Sequence, residues 1–196
     1  MPEAPTLRFD EESHTYYLDD RKIPSVTQVM GEVLGQPFYA TEWDMQRGRA
    51  VHAYAELIAT GVKFDAPDER IAGRIEACRR FHAEVVQNVL EVEKKYVSER
   101  YLFAGTGDLV FSLEGETYLA DYKGTLTKQT EIQLGAYGIL TKVRKGFGIQ
   151  LNDDGTYLMS DIYDLKRPGQ EFLNLLSAYN TKARLGMIKK EKQDNE

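Results

Sequence analysis

The chain predicts an α/β fold: a central mixed β-sheet flanked by helices, entered through an N-terminal hairpin. Two observations carry this. The elements run as helices, then three strands, a helix, two strands and a last helix, and the strand-rich stretches are divided by the turns Glu114-Gly115-Glu116 and Asn152-Asp153-Asp154-Gly155. The opening LRFDEESHTYYLDDRKIPSVTQVM reads as a hairpin, because Thr15 to Leu18 favour strand and Asp19-Asp20 a turn. Pro24 stops it, and Ser25 is placed to cap a short helix to Leu34, which GEVLGQPF then breaks.

Helix is expected from about Thr41 to Ile58, ended by Gly61, and again from Asp68 to Leu90, where Ile71, Ile75, Cys78, Phe81, Val85, Val86 and Val89 form an apolar stripe. VEKKYVSERYLF, AGTGDLVFSLE and ETYLADYKGT read as three strands. A helix over Thr130–Val143, strands GFGIQL and TYLMSDIYDL, and a helix over Gly169–Leu185 complete the pattern.

A length of 196 residues suits one domain. Within it, 1–40 form the hairpin and short helix, 41–150 the core with the candidate site, 151–188 the closing strand and helix, and 189–196 a flexible tail. At 42% hydrophobic and 29% charged the composition is globular, not disordered. The single cysteine, Cys78, allows no internal disulfide and no four-thiolate zinc or iron–sulfur cluster, and suits a reducing, cytoplasmic setting. No stretch suits a membrane span, and MPEAPTLRFDEE lacks the regions of a signal peptide. A net charge of -6 argues against a polycation that coats nucleic acid. It leaves room for a local basic groove, with Arg79-Arg80, Lys94-Lys95, Arg144-Lys145 and Lys166-Arg167 as candidates.

Asp121 and Lys123 stand two apart on a strand, so both leave one face. Asp108, on the preceding strand of the same hairpin, can face Asp121 and give two oxygen donors at one place. His52 offers a third side-chain ligand and the Tyr122 backbone carbonyl a fourth group. Such a set suits Mg²⁺ or Mn²⁺, with the imidazole tilting the choice toward Mn²⁺. Lys123 could then act as catalytic base or orient the attacking water. Glu56, four residues on from His52, shares its helix face. Gln133 and Tyr137 likewise share a face four residues apart and could hold a phosphate or a terminal nucleotide.

Four segments in order, RGRAVH with His52, GTGD with Asp108, DYK with Asp121 and Lys123, and QLGAY with Gln133 and Tyr137, resemble the motifs of the PD-(D/E)xK nuclease superfamily. Within it they are most similar to the RecB-like branch, which includes phage exonucleases and the mitochondrial genome maintenance exonuclease. The opening hairpin running into IPSVTQVM and the closing strands and helix are also similar to members of that branch. The resemblance implies a restriction-endonuclease-like core with four or five strands. It also implies Mg²⁺ or Mn²⁺ as cofactor, and exonuclease activity on single-stranded DNA or free DNA ends in recombination, repair or end processing. A recombinase, an annealing protein or a helicase would be a further partner, in a bacterial or phage-infected cell. Glu99 stands where the branch often carries an acidic residue in its first strand, and with Glu56 it is a candidate for a second ligand layer or a second metal. The branch's iron–sulfur members need four cysteines, so that cluster is not expected.

Taken singly, each motif has a plainer reading. A D-x-K pair is usually solvated, a helix histidine is usually core, and GTGD can be a turn; only the ordered set carries the nuclease reading. Tyr16, Tyr17 and Tyr39 are candidates to stack on bases, and KIPSVT could be a latch over the site. Two rivals stay open: a structure-specific endonuclease, and a noncatalytic DNA-binding module that keeps the fold.

Overall fold

The computed structural model describes residues 5–35 and 41–188. Tyr39 and the 189–196 tail lie outside the described residues. A three-stranded antiparallel sheet comes first: β1 (Leu7–Asp10), β2 (Thr15–Leu18) and β3 (Arg21–Ile23), in that order. The expected hairpin is thus β2–β3, turning at Asp19-Asp20 with Asp19 at φ 54°, and β1 adds an edge. Tyr16, Leu18 and Ile23 bury this sheet against Ala104, Val97 and Leu102. KIPSVT joins the pieces: Ala104 N–H donates to the Pro24 carbonyl, and Ser25 caps α1 (Val26–Leu34) through a reciprocal capping box with Gln28.

Two helices follow, α2 (Glu42–Thr60) and α3 (Glu69–Glu84). Thr41 and Asp44 box the start of α2, and Gly61, at φ 69°, ends it in the left-handed conformation a side chain would resist. Helix α3 stops at Glu84, short of the expected Leu90. Val85 is its C-cap, and Val89 belongs to β4 (Asn88–Ser98). The apolar run VVQNVLEV keeps helical spacing by coincidence. From Asn88 on the run pairs instead along β5 (Phe103–Leu113), Val89 with Phe111 and Val92 with Leu109, in a long antiparallel ladder that satisfies the backbone.

Strand β5 turns into β6 (Glu116–Lys123) through Glu114 and Gly115, both at positive φ (51° and 80°), the conformation a two-residue hairpin needs. Helix α4 (Lys128–Thr141), capped by Thr127, carries the chain to β7 (Lys145–Leu151), parallel to β6. The last expected strand is two short ones, β8 (Tyr157–Met159) and β9 (Tyr163–Asp164), both antiparallel to β7. Helix α5 (Lys166–Arg184) starts earlier than expected, because Pro168 and Gly169 sit in its first turn, where a proline loses no helix hydrogen bond.

The large sheet therefore has six strands, ordered β4-β5-β6-β7-β8 with β9 also on β7, and is mixed through the one parallel pair, β6–β7. The period-2 alternation of its strands divides the interior in two. Leu109, Phe111, Ala120 and Tyr122 face α2 and α3, packing on Val51, Ala55, Ile75 and Phe81. Val110 and Leu119 face the other way, with α1, α4 and α5, on Val26, Leu134, Phe172 and Leu176. Full burial of a side chain the size of Phe81 or Phe172 contributes roughly 1.5–3 kcal/mol.

Helices α4 and α5 touch at backbone distance: a Cβ on Gly135 would stand 2.3 Å from the Gly169 nitrogen and the Pro168 carbonyl carbon. An alanine in an open helix position gains about 1 kcal/mol over glycine. Here Gly135→Ala is expected to destabilise the protein by about 1–3 kcal/mol, because two helices must part; a urea midpoint at or above the parent's would contradict this contact.

Candidate metal centre

The hairpin β4–β5 and the hairpin β5–β6 set three acidic residues at one level of the sheet. The partners Val92↔Leu109 and Lys94↔Gly107 place Glu93 opposite Asp108. Counting one step on from Leu109↔Ala120, where the β5–β6 ladder ends, places Asp121 opposite Asp108 on its other side. Beyond that pair the strands are held differently: the Tyr122 N–H donates to Asp108 Oδ2 at 2.7 Å, a carboxylate standing in for a backbone carbonyl. Glu93 itself has φ 44°, a left-handed conformation that costs a bulky residue free energy and that interrupts the ladder at this point.

Helix α2 adds His52. Its Nδ1 lies 3.0 Å from Glu93 Oε1 and 3.4 Å from Asp108 Oδ1. Among the described residues, His52, Glu93 and Asp108 form a group whose donor atoms all lie within 4.8 Å of one another. Asp121 Oδ2 is 2.6 Å from Lys123 Nζ but lacks the angle of a hydrogen bond, so this atom is buried with no hydrogen-bond partner. The centre lies where the two cores meet, since Tyr122 and Val51 belong to one and Tyr137 to the other.

Charge is out of balance here. Asp108 is 6% exposed and Asp121 2%. Burial pushes the Asp121 carboxyl up to about 6 against the pull of Lys123, and it also raises Asp108, against the pull of His52. The Asp108 carboxylate, opposed by burial and helped by Glu93, lifts His52 to about 9. Burial pulls Lys123 down, but Asp121 and Asp108 outweigh it and leave the ammonium raised. Every shift runs toward holding protons. For His52 and Lys123 the cause is the neighbouring carboxylates; for the two aspartates it is burial.

The donor set fits a divalent cation. Carboxylate oxygens with one imidazole suit Mg²⁺ or Mn²⁺, and the His52, Glu93 and Asp108 donor atoms already stand within 4.8 Å of one another. Asp121 Oδ2, which is ion-paired with Lys123 but makes no hydrogen bond, is a further oxygen donor beside the group.

Of the residues expected from sequence, the structure brings His52, Asp108, Asp121 and Lys123 together. Tyr137 joins them from α4: it is buried, hydrogen-bonds with Gln133, and lies near enough to Asp121 and Asp108 that both raise its hydroxyl pKa after burial has done so. Gly105 of GTGD makes this possible, as a Cβ there would lie 2.8 Å from the Tyr137 ring. Tyr122 supplies its N–H to Asp108; its ring lies against Phe81 and His82, and its hydroxyl is 2.7 Å from His82 Nε2. Glu56 is exposed on α2, and Glu99 is exposed in the turn after β4, six residues beyond Glu93. The acidic side chain that the first strand brings to the group is Glu93, which the sequence reading passed over. Its signal was the register: five steps back from the Ser98↔Phe103 closure pairs it with Asp108.

The aromatic and basic candidates are mostly engaged elsewhere. Tyr16 is buried with its hydroxyl 2.7 Å from Thr106, and Tyr17 lies under Arg8. Lys94 pairs with Glu91, Lys145 with Glu116, Arg80 with Glu84 and Arg167 with Glu171.

No protein-family model and no curated protein matches the chain. Among solved structures, the crystal structure of SSO0001 is similar at 16% identity and a TM-score of 0.44, over 80% of this chain and 74% of that one. A likeness of that degree carries nothing about activity.

The pKa directions fix how the metal-free protein should respond to pH. His52, raised from 6.5 to about 9, contributes stability in full below pH 6.5 and loses it as pH rises through 9; Asp121, raised from 3.8 to about 6, runs in the same sense at lower pH. The His52 ring keeps 34% of its side-chain surface exposed, so solvent damps the effect. The melting temperature of metal-free protein is expected to fall between pH 6.5 and 9, less so in His52→Ala, and Mn²⁺ should raise it most at the alkaline end, where no proton competes for the ring. A flat profile without metal, or equal Mn²⁺ effects at both ends, contradicts this assignment.

Proposed function

We propose that the protein is a divalent-metal-dependent deoxyribonuclease of the PD-(D/E)xK, RecB-like kind, cleaving DNA at free or single-stranded ends. The observation that carries this reading is the convergence of His52, Glu93 and Asp108, with donor atoms within 4.8 Å, beside the Asp121–Lys123 pair. Hydrolysing a phosphodiester needs charge neutralisation at the phosphate and a nucleophilic water in line with the leaving oxygen. His52, Glu93, Asp108 and Asp121 would hold Mg²⁺ or Mn²⁺, with the Tyr122 carbonyl as a further oxygen. The chemistry such a cation supplies is polarisation of the phosphate and acidification of the attacking water.

The chain's own groups do the rest. Lys123 enters as an ammonium, because its neighbouring carboxylates raise its pKa. In that form it orients the attacking water and stabilises charge on the phosphate. Tyr137 and Gln133, bonded to each other beside the carboxylates, can position a phosphate oxygen or terminal nucleotide. The pairing of Asp121 with Lys123 keeps the ammonium over the centre before substrate arrives. The expected cytoplasmic setting belongs to this same reading; for its part, no described helix is long and apolar enough to cross a membrane.

The test is digestion of end-labelled single- and double-stranded oligonucleotides with Mg²⁺, Mn²⁺ or chelator. Chelator is expected to abolish cleavage, and a covalently closed circle should stay intact. Lys123→Ala should fold and bind DNA yet lose at least about 100-fold in kcat, the usual scale for removing a group that stabilises transition-state charge. Glu93→Gln should weaken Mn²⁺ binding at least about 10-fold, the lower end of what losing even an outer partner costs a metal site. Cutting in chelator, or Lys123→Ala acting at the parent rate, would defeat the reading; cutting of the closed circle would move it to an endonuclease.

A further inference from the structure

Beside the carboxylate row lies a small open pocket with a cavity volume of about 40 Å³, whose lining includes His52 and Lys123 together with Gly48, Arg74 and Gly124. Its ionisable lining is His52, Arg74 and Lys123, all basic apart from the weakly acidic Tyr122 hydroxyl, in a chain of net charge -6. We propose that this pocket is a phosphate-binding subsite in which Arg74 holds a second phosphate of the DNA strand, next to the one being cleaved. The identity of the ligand rests on the nuclease reading above; the anion site itself rests on the pocket.

Arg74 is built into place from α3. A Cβ on Gly73 would fall 1.8 Å from the Asp153 carbonyl oxygen, so the β7–β8 turn sits directly on the helix backbone. From that turn the Asp153 carboxylate takes Nε of Arg74 at 2.6 Å and Nη2 at 3.4 Å. One edge of the guanidinium is thereby fixed and its side chain is 13% exposed. The other edge points at Gly124, where a Cβ would meet Nη1 at 2.7 Å, and no hydrogen bond from Nη1 is present among the described residues. Gly124 directly follows Lys123, so the free edge of Arg74 and the Lys123 ammonium enter one pocket from adjoining positions. A guanidinium edge held by a carboxylate behind it is the arrangement that binds a phosphate with direction as well as charge.

Gly48 is the independent observation. It sits in the middle of α2, where glycine costs about 1 kcal/mol against alanine. No packing demands it: its Cβ would meet nothing within 4 Å. What the missing side chain leaves is space in the pocket, one turn before His52. The space it leaves opens into the pocket beside His52 and Lys123, where the proposed phosphate sits.

The experiment uses the full chain and the variants Arg74→Ala, Arg74→Lys and Gly48→Leu. Anisotropy in Ca²⁺ follows binding of a single-stranded oligonucleotide bearing a 5′-phosphate and its 5′-hydroxyl counterpart, and Mn²⁺ kinetics follow cleavage. Arg74→Ala and Gly48→Leu are each expected to weaken binding about tenfold, with KM rising and kcat held, and Arg74→Lys to fall between. Loss on both oligonucleotides assigns a backbone diester to the subsite; loss confined to the phosphorylated one assigns a terminal monoester. If Arg74→Ala unfolds for want of its bond to Asp153, Gly48→Leu decides, since it leaves Arg74 in place. Inorganic phosphate separates the two readings: it should raise the parent's melting temperature and not that of Arg74→Ala or Gly48→Leu, even if the parent never cuts DNA. Parent-like KM and DNA affinity in the variants, or a phosphate shift they retain, would overturn the subsite and leave the nuclease reading untouched.

Discussion

The hydrogen bond from the Tyr122 N–H to Asp108 Oδ2 is the interaction on which the centre depends. A β-ladder continued past Leu109↔Ala120 would have spent that donor on a carbonyl and closed the strands over Asp108 and Asp121. Because a carboxylate takes it instead, the backbone stays satisfied while the two strands stop exchanging bonds, and the buried aspartates are left facing a common space. The same bond fixes which Asp108 oxygen is committed and which remains for His52.

Everything around that bond concerns uncompensated charge. Two aspartates with almost no solvent contact and a half-buried glutamate face one imidazole and one ammonium. Two positive groups are held charged by their neighbours, yet one Asp121 oxygen still lacks a hydrogen bond. Leaving charge buried costs several kcal/mol per ion unless it is paired, and here the pairs are Asp121 with Lys123 and His52 with Glu93 and Asp108. The pocket lined by His52, Arg74 and Lys123 opens beside the carboxylates and shares His52 and Lys123 with them, so the unbonded edge of Arg74 and the acidic row meet in one cleft.

Most of the fold was legible because its punctuation is local. Ser25, Thr41, Thr127 and Gly61 cap helices by short-range hydrogen bonds, and Glu114-Gly115 sets a hairpin by φ alone. The same locality made His52, Asp108, Asp121 and Lys123 readable, since strand parity and one hairpin bring three of them together. The β4 boundary was not legible: the valines of 85–92 match helical and strand spacing alike, and only the partner strand decides between them. Glu99 was named through the resemblance, whereas Glu93 is found only by counting back from the Ser98↔Phe103 closure of the hairpin. Arg74 was invisible for a different reason, because its role comes from α3 meeting a turn some eighty residues later, a tertiary contact with no spacing to betray it.

Glu93 carries a further implication. Holding an unbranched, non-glycine residue in the left-handed region costs about 1–2 kcal/mol, and the strand would run more comfortably with asparagine or glycine in its place. The protein therefore spends part of its folding free energy to aim one carboxylate sideways out of a strand. Of the non-glycine residues in the left-handed region among those described, Glu93 alone belongs to the His52–Glu93–Asp108 group, so relieving the strain there by substitution would also remove a carboxylate from it.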